Sequence, residues 1–194
     1  MKAYFFFYNG GDGFAAFEVV NTALLLRKKF EIITTSFEQG ILKSEEKFKF
    51  VIDQALADVN PEEVDVLIIP GGDPLKELED ERKAALVKTF LERVNARGSP
   101  ICAICGGPLF LTVTTILEGK RFTGDGGPEP MREEDLQHFK VGSYDDSPVV
   151  VDGTIITAKG QAYTEFAVEV AKKMGLITNE REANETIKWL KNQK

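Results

Sequence analysis

The sequence predicts an open α/β sheet, mainly parallel and covered by helices on both faces. Three observations predict it. Short apolar runs such as residues 3–8 and 64–69 have the composition of strands buried on both sides. They alternate with longer segments whose apolar residues recur at helical spacing. Three glycine-rich loops, at residues 9–13, 70–74 and 105–108, directly follow such runs. In open sheets of this kind sites form at the carboxyl ends of the strands, so these loops mark where function belongs.

Residues 3–8 read as the first strand, stopped by Asn9-Gly10-Gly11-Asp12-Gly13. Residues 15–29 read as the first helix, with Phe17, Val20 and Leu24 as its apolar positions and Glu18 one turn in. The next strand covers 30–35, and the alternating run 47–52 reads as an exposed strand or hairpin arm. A second buried strand, 64–69, is closed by Pro70-Gly71-Gly72-Asp73-Pro74. A single long amphipathic helix is expected over 78–97, stopping at Gly98. Residues 100–104 form another apolar strand, and 109–117 read as the helix after it. Past Gly119 the rhythm changes. A loop over 121–129 surrounds Thr123-Gly124-Asp125-Gly126-Gly127-Pro128, and a short helix is expected over 133–139. Residues 149–151 and 154–158, on either side of Asp152-Gly153, read as a type I′ hairpin or a strand pair. A helix over 164–174 follows, and Asn179-Glu180-Arg181-Glu182 caps a last helix reaching Trp189. No linker, repeat or low-complexity segment interrupts this order, so residues 1–194 read as one domain.

Composition excludes several classes of function. A net charge of −7 with no Lys/Arg block makes nucleic acid and anionic membranes poor partners. No stretch approaches the ~20 apolar residues of a membrane span. The apolar run near the N-terminus is too short for a signal peptide, so a cytoplasmic protein is expected. Cys102 and Cys105 lie on one strand with side chains on opposite faces, so they are not expected to pair. With His138 as the sole histidine they do not complete a four-ligand zinc site, and no metal or other cofactor is expected.

The strand ending in Ala103-Ile104-Cys105-Gly106-Gly107-Pro108 is the one the rest serves. Gly106 and Gly107 permit a sharp turn, and Pro108 suits the first turn of a helix. Cys105 then stands at a strand-to-helix corner, the nucleophile-elbow geometry with a thiol in place of a hydroxyl. The positive end of a helix lowers a thiol pKa below its free value of about 8.5. A buried, inert cysteine beside a glycine turn would carry the same local pattern.

Together, Phe14-Ala15-Ala16-Phe17-Glu18-Val19, Asp65-Val66-Leu67-Ile68-Ile69-Pro70-Gly71-Gly72, the elbow segment, and residues 152–160 leading into Thr164-Glu165-Phe166-Ala167 resemble the ThiJ/PfpI family of intracellular proteases/amidases, deglycases, glyoxalases and isocyanide hydratases. The resemblance covers nearly the whole chain. It implies a flavodoxin-like three-layer sandwich related to class I glutamine amidotransferase domains, and an assembly that is a homodimer or larger. By position, Cys105 matches the elbow cysteine and Glu18 the acid that hydrogen-bonds it, while the N–H groups of Gly72 and Gly106 match the oxyanion hole. In the family that acid is thought to be protonated, as burial beside an anion favours. Without the resemblance, Glu18 reads as a solvated first-turn acid favoured by the helix dipole.

The chain departs from the family at two places. Protease-like members carry histidine directly after the cysteine, where this chain has Gly106, and others place one in the later loop, where it has Thr123-Gly124-Asp125. His138 lies in a polar run and reads as a surface residue. Without an imidazole a peptidase lacks its general base. Asp73, Thr123 and Asp125 remain as candidate substrate contacts, although either aspartate also suits a turn cap. Three readings compete: an enzyme in which Cys105 adds to a small electrophile, a thiol sensor oxidised by peroxide, and a partner-binding protein that has lost its chemistry. The expected partner is accordingly a small-molecule substrate or an oxidant.

Overall fold

β1 (Lys2–Phe6) is apolar because it lies in mid-sheet, where Tyr4, Phe5 and Phe6 are each at most 2 % exposed. The structure is a computed structural model that describes residues 1–125 and 131–193. The last part of the expected loop, Gly126 to Glu129, therefore lies outside the described residues. α1 (Phe17–Leu26) and β2 (Glu31–Ser36) follow β1, and β3 (Gly40–Lys43) with β4 (Lys49–Ile52) forms an antiparallel hairpin. Next come β5 (Gln54–Ala55), β6 (Val66–Ile69), α2 (Pro74–Leu78), α3 (Glu81–Ala96) and β7 (Ile101–Ile104). The chain continues through β8 (Arg121–Phe122), α4 (Glu133–Leu136), β9 (Ser143–Tyr144), β10 (Val149–Asp152) and β11 (Ile155–Ala158). It closes with α5 (Tyr163–Lys173) and α6 (Glu180–Leu190).

Seven strands make the central sheet in the order β10-β11-β7-β6-β1-β2-β5, parallel except for the antiparallel β10–β11 pair at one edge. Ala3 is level with Val66, and Ile68 with Cys102, so β1, β6 and β7 end side by side. Their carboxyl ends deliver the three glycine-rich loops to one place. Helices flank the sheet: α1 packs on α5, with α6 beyond it, while α3 packs on β7 and on the turn that follows β7.

Four elements differ from expectation, each for a physical reason. The helix predicted over 78–97 is broken, because Asp80 takes extended backbone and its carboxylate accepts from Arg82 N and Lys83 N to start α3 afresh. The helix expected over 109–117 is instead a 3-10 helix at Gly107–Val113. Thr112 and Thr114 donate their hydroxyls to the carbonyls of Leu109 and Leu111, both at 2.7 Å, and such local bonds compete with an α-helical turn. β10 and β11 form the expected strand pair, but the turn between them is not type I′, because only its first residue, Gly153, has positive φ (63°) and that turn needs two. α1 turns inward the face that periodicity assigned to solvent. Phe17 and Val20 are 46 % and 57 % exposed, while Glu18, Val19, Thr22 and Leu26 are buried.

Candidate active site

Cys105 follows β7 directly, and its backbone is held in the left-handed region (φ 59°), which a side chain at this position makes costly. Three bonds hold it there. Its N–H donates to Ala158 O (2.8 Å), its carbonyl accepts from Asp125 N (2.6 Å), and Asp125 O in turn accepts from Gly160 N (2.8 Å). The side chain is half-buried at the floor of an open pocket of about 430 Å³. Gly106 packs so closely on Gly72 O that a methyl group there would collide with it. The glycines of this elbow are thus required by contact with the neighbouring loop.

Glu18 reaches the thiol from the first turn of α1. It is 2 % exposed, and its Oε2 accepts from Gly71 N at 2.7 Å. Gly71 returns a second bond, its carbonyl accepting from Ala15 N at 3.1 Å. A Cβ placed on Gly71 would stand 2.6 Å from Glu18 Oε2, 2.6 Å from Cys105 Cβ and 2.8 Å from Cys105 Sγ. The acid and the thiol therefore face each other across a space that only glycine leaves open. The start of α1 has no side-chain cap of its own. Glu46, in the turn between β3 and β4, supplies it by accepting from Ala16 N (3.3 Å) and Phe17 N (2.9 Å).

Burial raises the Glu18 carboxyl to about 7, outweighing the Gly71 N–H and the thiol bond that favour its charge. Burial also pushes the Cys105 thiol up, the Glu18 charge and hydrogen bond add to the rise, and the Gly106 N–H opposes it. The lowering expected from a helix terminus does not prevail, because burial and the Glu18 charge outweigh it. The two groups form one titrating unit. Losing its first proton leaves a thiol with a carboxylate or a thiolate with a carboxylic acid, and both forms carry the same charge. Cys102, in contrast, is fully buried within β7, and burial alone drives its thiol up.

Cys105, Glu18, Gly72 and Asp73 line the pocket together. Gly106 borders it through its N–H beside the sulfur, and among the described residues the Gly72 N–H donates to no carbonyl or side chain. Asp125 braces the elbow through its backbone and adds to the thiol's rise. Thr123 is fully buried behind the elbow, its N–H bonded to Thr157 Oγ1 (2.9 Å), and does not reach the pocket wall. His138 is exposed just past α4 and is not a lining residue. Sequence reasoning missed Asp12, Glu45 and Lys76, which also line the pocket, and missed Gly71 and Glu46. Gly71 could have been found from the Gly-Gly pair ending an apolar strand, whereas nothing local shows that Glu46 folds back onto α1. Among the described residues no group of three His, Cys, Asp or Glu side chains is placed to hold a metal, and no helix is long and apolar enough to cross a membrane.

A family model described as the DJ-1/PfpI family matches residues 1–173. A deglycase of Pyrococcus abyssi is 29 % identical over 129 residues, covering 66 % of this chain and 73 % of that protein. The deglycase PfpI of Pyrococcus furiosus is 30 % identical over 131 residues, covering 66 % and 73 %. A solved DJ-1 superfamily protein from Agrobacterium tumefaciens superposes over the whole of both chains with a TM-score of 0.80 at 24 % identity, a likeness of fold.

Proposed function

Since this chain belongs to the DJ-1/PfpI family, we propose that it is a cysteine-dependent enzyme acting on a small electrophile of carbonyl, amide or isocyanide type. The observation that carries this is the Cys105–Glu18 pair, held by Gly71 at the floor of an open pocket. In the reaction with a carbonyl, the Cys105 proton passes to Glu18 and the sulfur electron pair forms a bond to the carbonyl carbon. The π electrons move to oxygen, where the Gly72 and Gly106 N–H groups receive the developing charge. Glu18 then returns the proton to that oxygen, giving a neutral thiohemiacetal. The names of the two deglycase relatives favour carbonyl-derived substrates. Peptide hydrolysis is disfavoured, because no imidazole lines the pocket. Action as a homodimer in the cytoplasm belongs to the same proposal.

The alternative, a thiol oxidised by peroxide, is favoured by the access that the open pocket gives to Cys105. Burial, which raises the thiol's pKa, works against it. Steady-state turnover of a panel of small aldehydes, 1,2-dicarbonyls, amides and isocyanides separates the two. The expected result is turnover of at least one class, abolished by Cys105→Ala and retained by Cys102→Ala. No turnover of any class, together with stoichiometric Cys105 oxidation at low peroxide, would establish the sensor instead.

A further inference from the structure

Outside the reacting pair, one buried carboxylate is committed to the pocket without entering it. Glu77, in α2, is 6 % exposed, and its Oε1 accepts from both Asn9 N and Gly10 N at 3.0 Å. Its Oε2 pairs with the Lys83 ammonium, which also lies 4.9 Å above the Phe37 ring. Burial works to raise its pKa, but Lys83 and the two N–H groups outweigh this and hold it below the ordinary carboxylate range. The loop it grips has no slack on its far side. A Cβ on Gly10 would stand 3.0 Å from Asp73 N, 3.1 Å from Asp73 O and 3.0 Å from the Tyr8 ring. The first glycine loop therefore packs against the Gly72–Asp73 loop, and Gly10, Asp12 and Gly13 form one wall of the pocket that Cys105 also lines.

We propose that Glu77 is a positioning residue, which fixes this wall against the Gly72–Asp73 loop and so sets the width of the substrate pocket. A buried ion pair contributes little to stability compared with apolar side chains of similar size. What this one supplies is an acceptor for two N–H groups that would otherwise let the loop drift. Glu77 touches neither Cys105 nor Glu18, so it governs which molecules reach the thiol and leaves the thiol's ionisation alone. The inference rests on the pocket being the substrate site, yet its principal readouts need no turnover.

The test compares two double variants that both lose the ion pair. Glu77→Leu with Lys83→Met removes the acceptor, whereas Glu77→Gln with Lys83→Met keeps a carbonyl acceptor without the charge. Amide hydrogen exchange at Asn9 and Gly10 reports the grip. The ratio of Cys105 alkylation rates for N-cyclohexylmaleimide and iodoacetamide reports pocket width, and the pH midpoint with iodoacetamide reports the thiol. In the leucine variant both amides should exchange faster and the bulky-to-small ratio should rise about fivefold or more, with the midpoint unchanged. The glutamine variant should return the ratio to within about twofold of wild type. Where a substrate is turned over, KM should rise about tenfold in the leucine variant with kcat little changed. Equal ratios in the two variants would reduce Glu77 to a structural ion pair, and a shifted midpoint would show that it acts through the thiol; either overturns the proposal. A wild type without turnover would sink the enzymatic reading while leaving exchange and alkylation to decide this one.

Discussion

Gly71→Ala tests the site at its narrowest point. The added methyl would fall short of ordinary van der Waals separation from Cys105 Cβ, Cys105 Sγ and Glu18 Oε2 by roughly 0.6–0.8 Å each. None of the three neighbours yields readily. Cys105 is fixed by bonds to Ala158 and Asp125, and Glu18 is held by the N–H of the very residue that is changed. Overpacking of this kind costs about 1–3 kcal/mol, which in a protein of this size lowers Tm by roughly 2–12 °C. The larger effect is on chemistry, because a displacement approaching 1 Å between reacting groups costs on the order of 100-fold in rate. The assay is the pH profile of Cys105 alkylation by iodoacetamide, with Glu18→Leu as the reference for a pair fully broken. In the wild type the rate should rise as the pair loses its first proton, since one form of that monoanion is the thiolate. In both variants the thiolate loses the carboxylic acid that donates a hydrogen bond to it, so the midpoint should move upward. A Gly71→Ala protein with the wild-type profile would refute the reasoning even if its Tm fell, since the methyl would then be accommodated without parting the pair.

Two further outcomes follow from the same groups. Glu18 has a folded-state pKa of about 7 against an ordinary 4.5, so its contribution to stability is present below 4.5 and lost as pH rises through 7. Urea unfolding should show the wild type losing about 3 kcal/mol relative to Glu18→Gln across that window, and parallel curves would contradict the raised pKa. Casein and fluorogenic peptides should not be cleaved by the wild type; cleavage abolished by both Cys105→Ala and His138→Ala would restore a cysteine–histidine site.

The sheet and its three loops were legible because fully buried parallel strands are apolar on both faces and end abruptly in glycine. Cys105 was legible for the same reason, as the residue between such a strand and a glycine pair. Glu18 was not legible from periodicity. α1 carries Phe17 and Val20 on one side and Val19 and Leu26 on another, and the hydrophobic pattern does not say which side a carboxylate follows inward. The Gly71 N–H and the thiol decide it, and both lie far away in sequence. Residues 107–113 failed as an α-helix because hydroxyl-to-carbonyl bonds from Thr112 and Thr114 are invisible to spacing rules. Asp125 and Thr123 were picked as pocket residues because they stand where other members of the family carry a histidine. One serves through its backbone and the other is buried behind the elbow.

The N–H of Cys105 is held by Ala158, and Asp125, which holds its carbonyl, is itself held by Gly160. The elbow is thus completed by segments made after Cys105 itself. Glu18, Gly71 and Cys105 are all synthesised before β11 exists. Until β11 pairs with β7, the bonds to Ala158 and from Gly160 are missing, so the left-handed turn lacks part of its support. Pairings between distant segments form late in folding. The finished elbow is therefore a late product of folding, complete only when β11 joins the sheet.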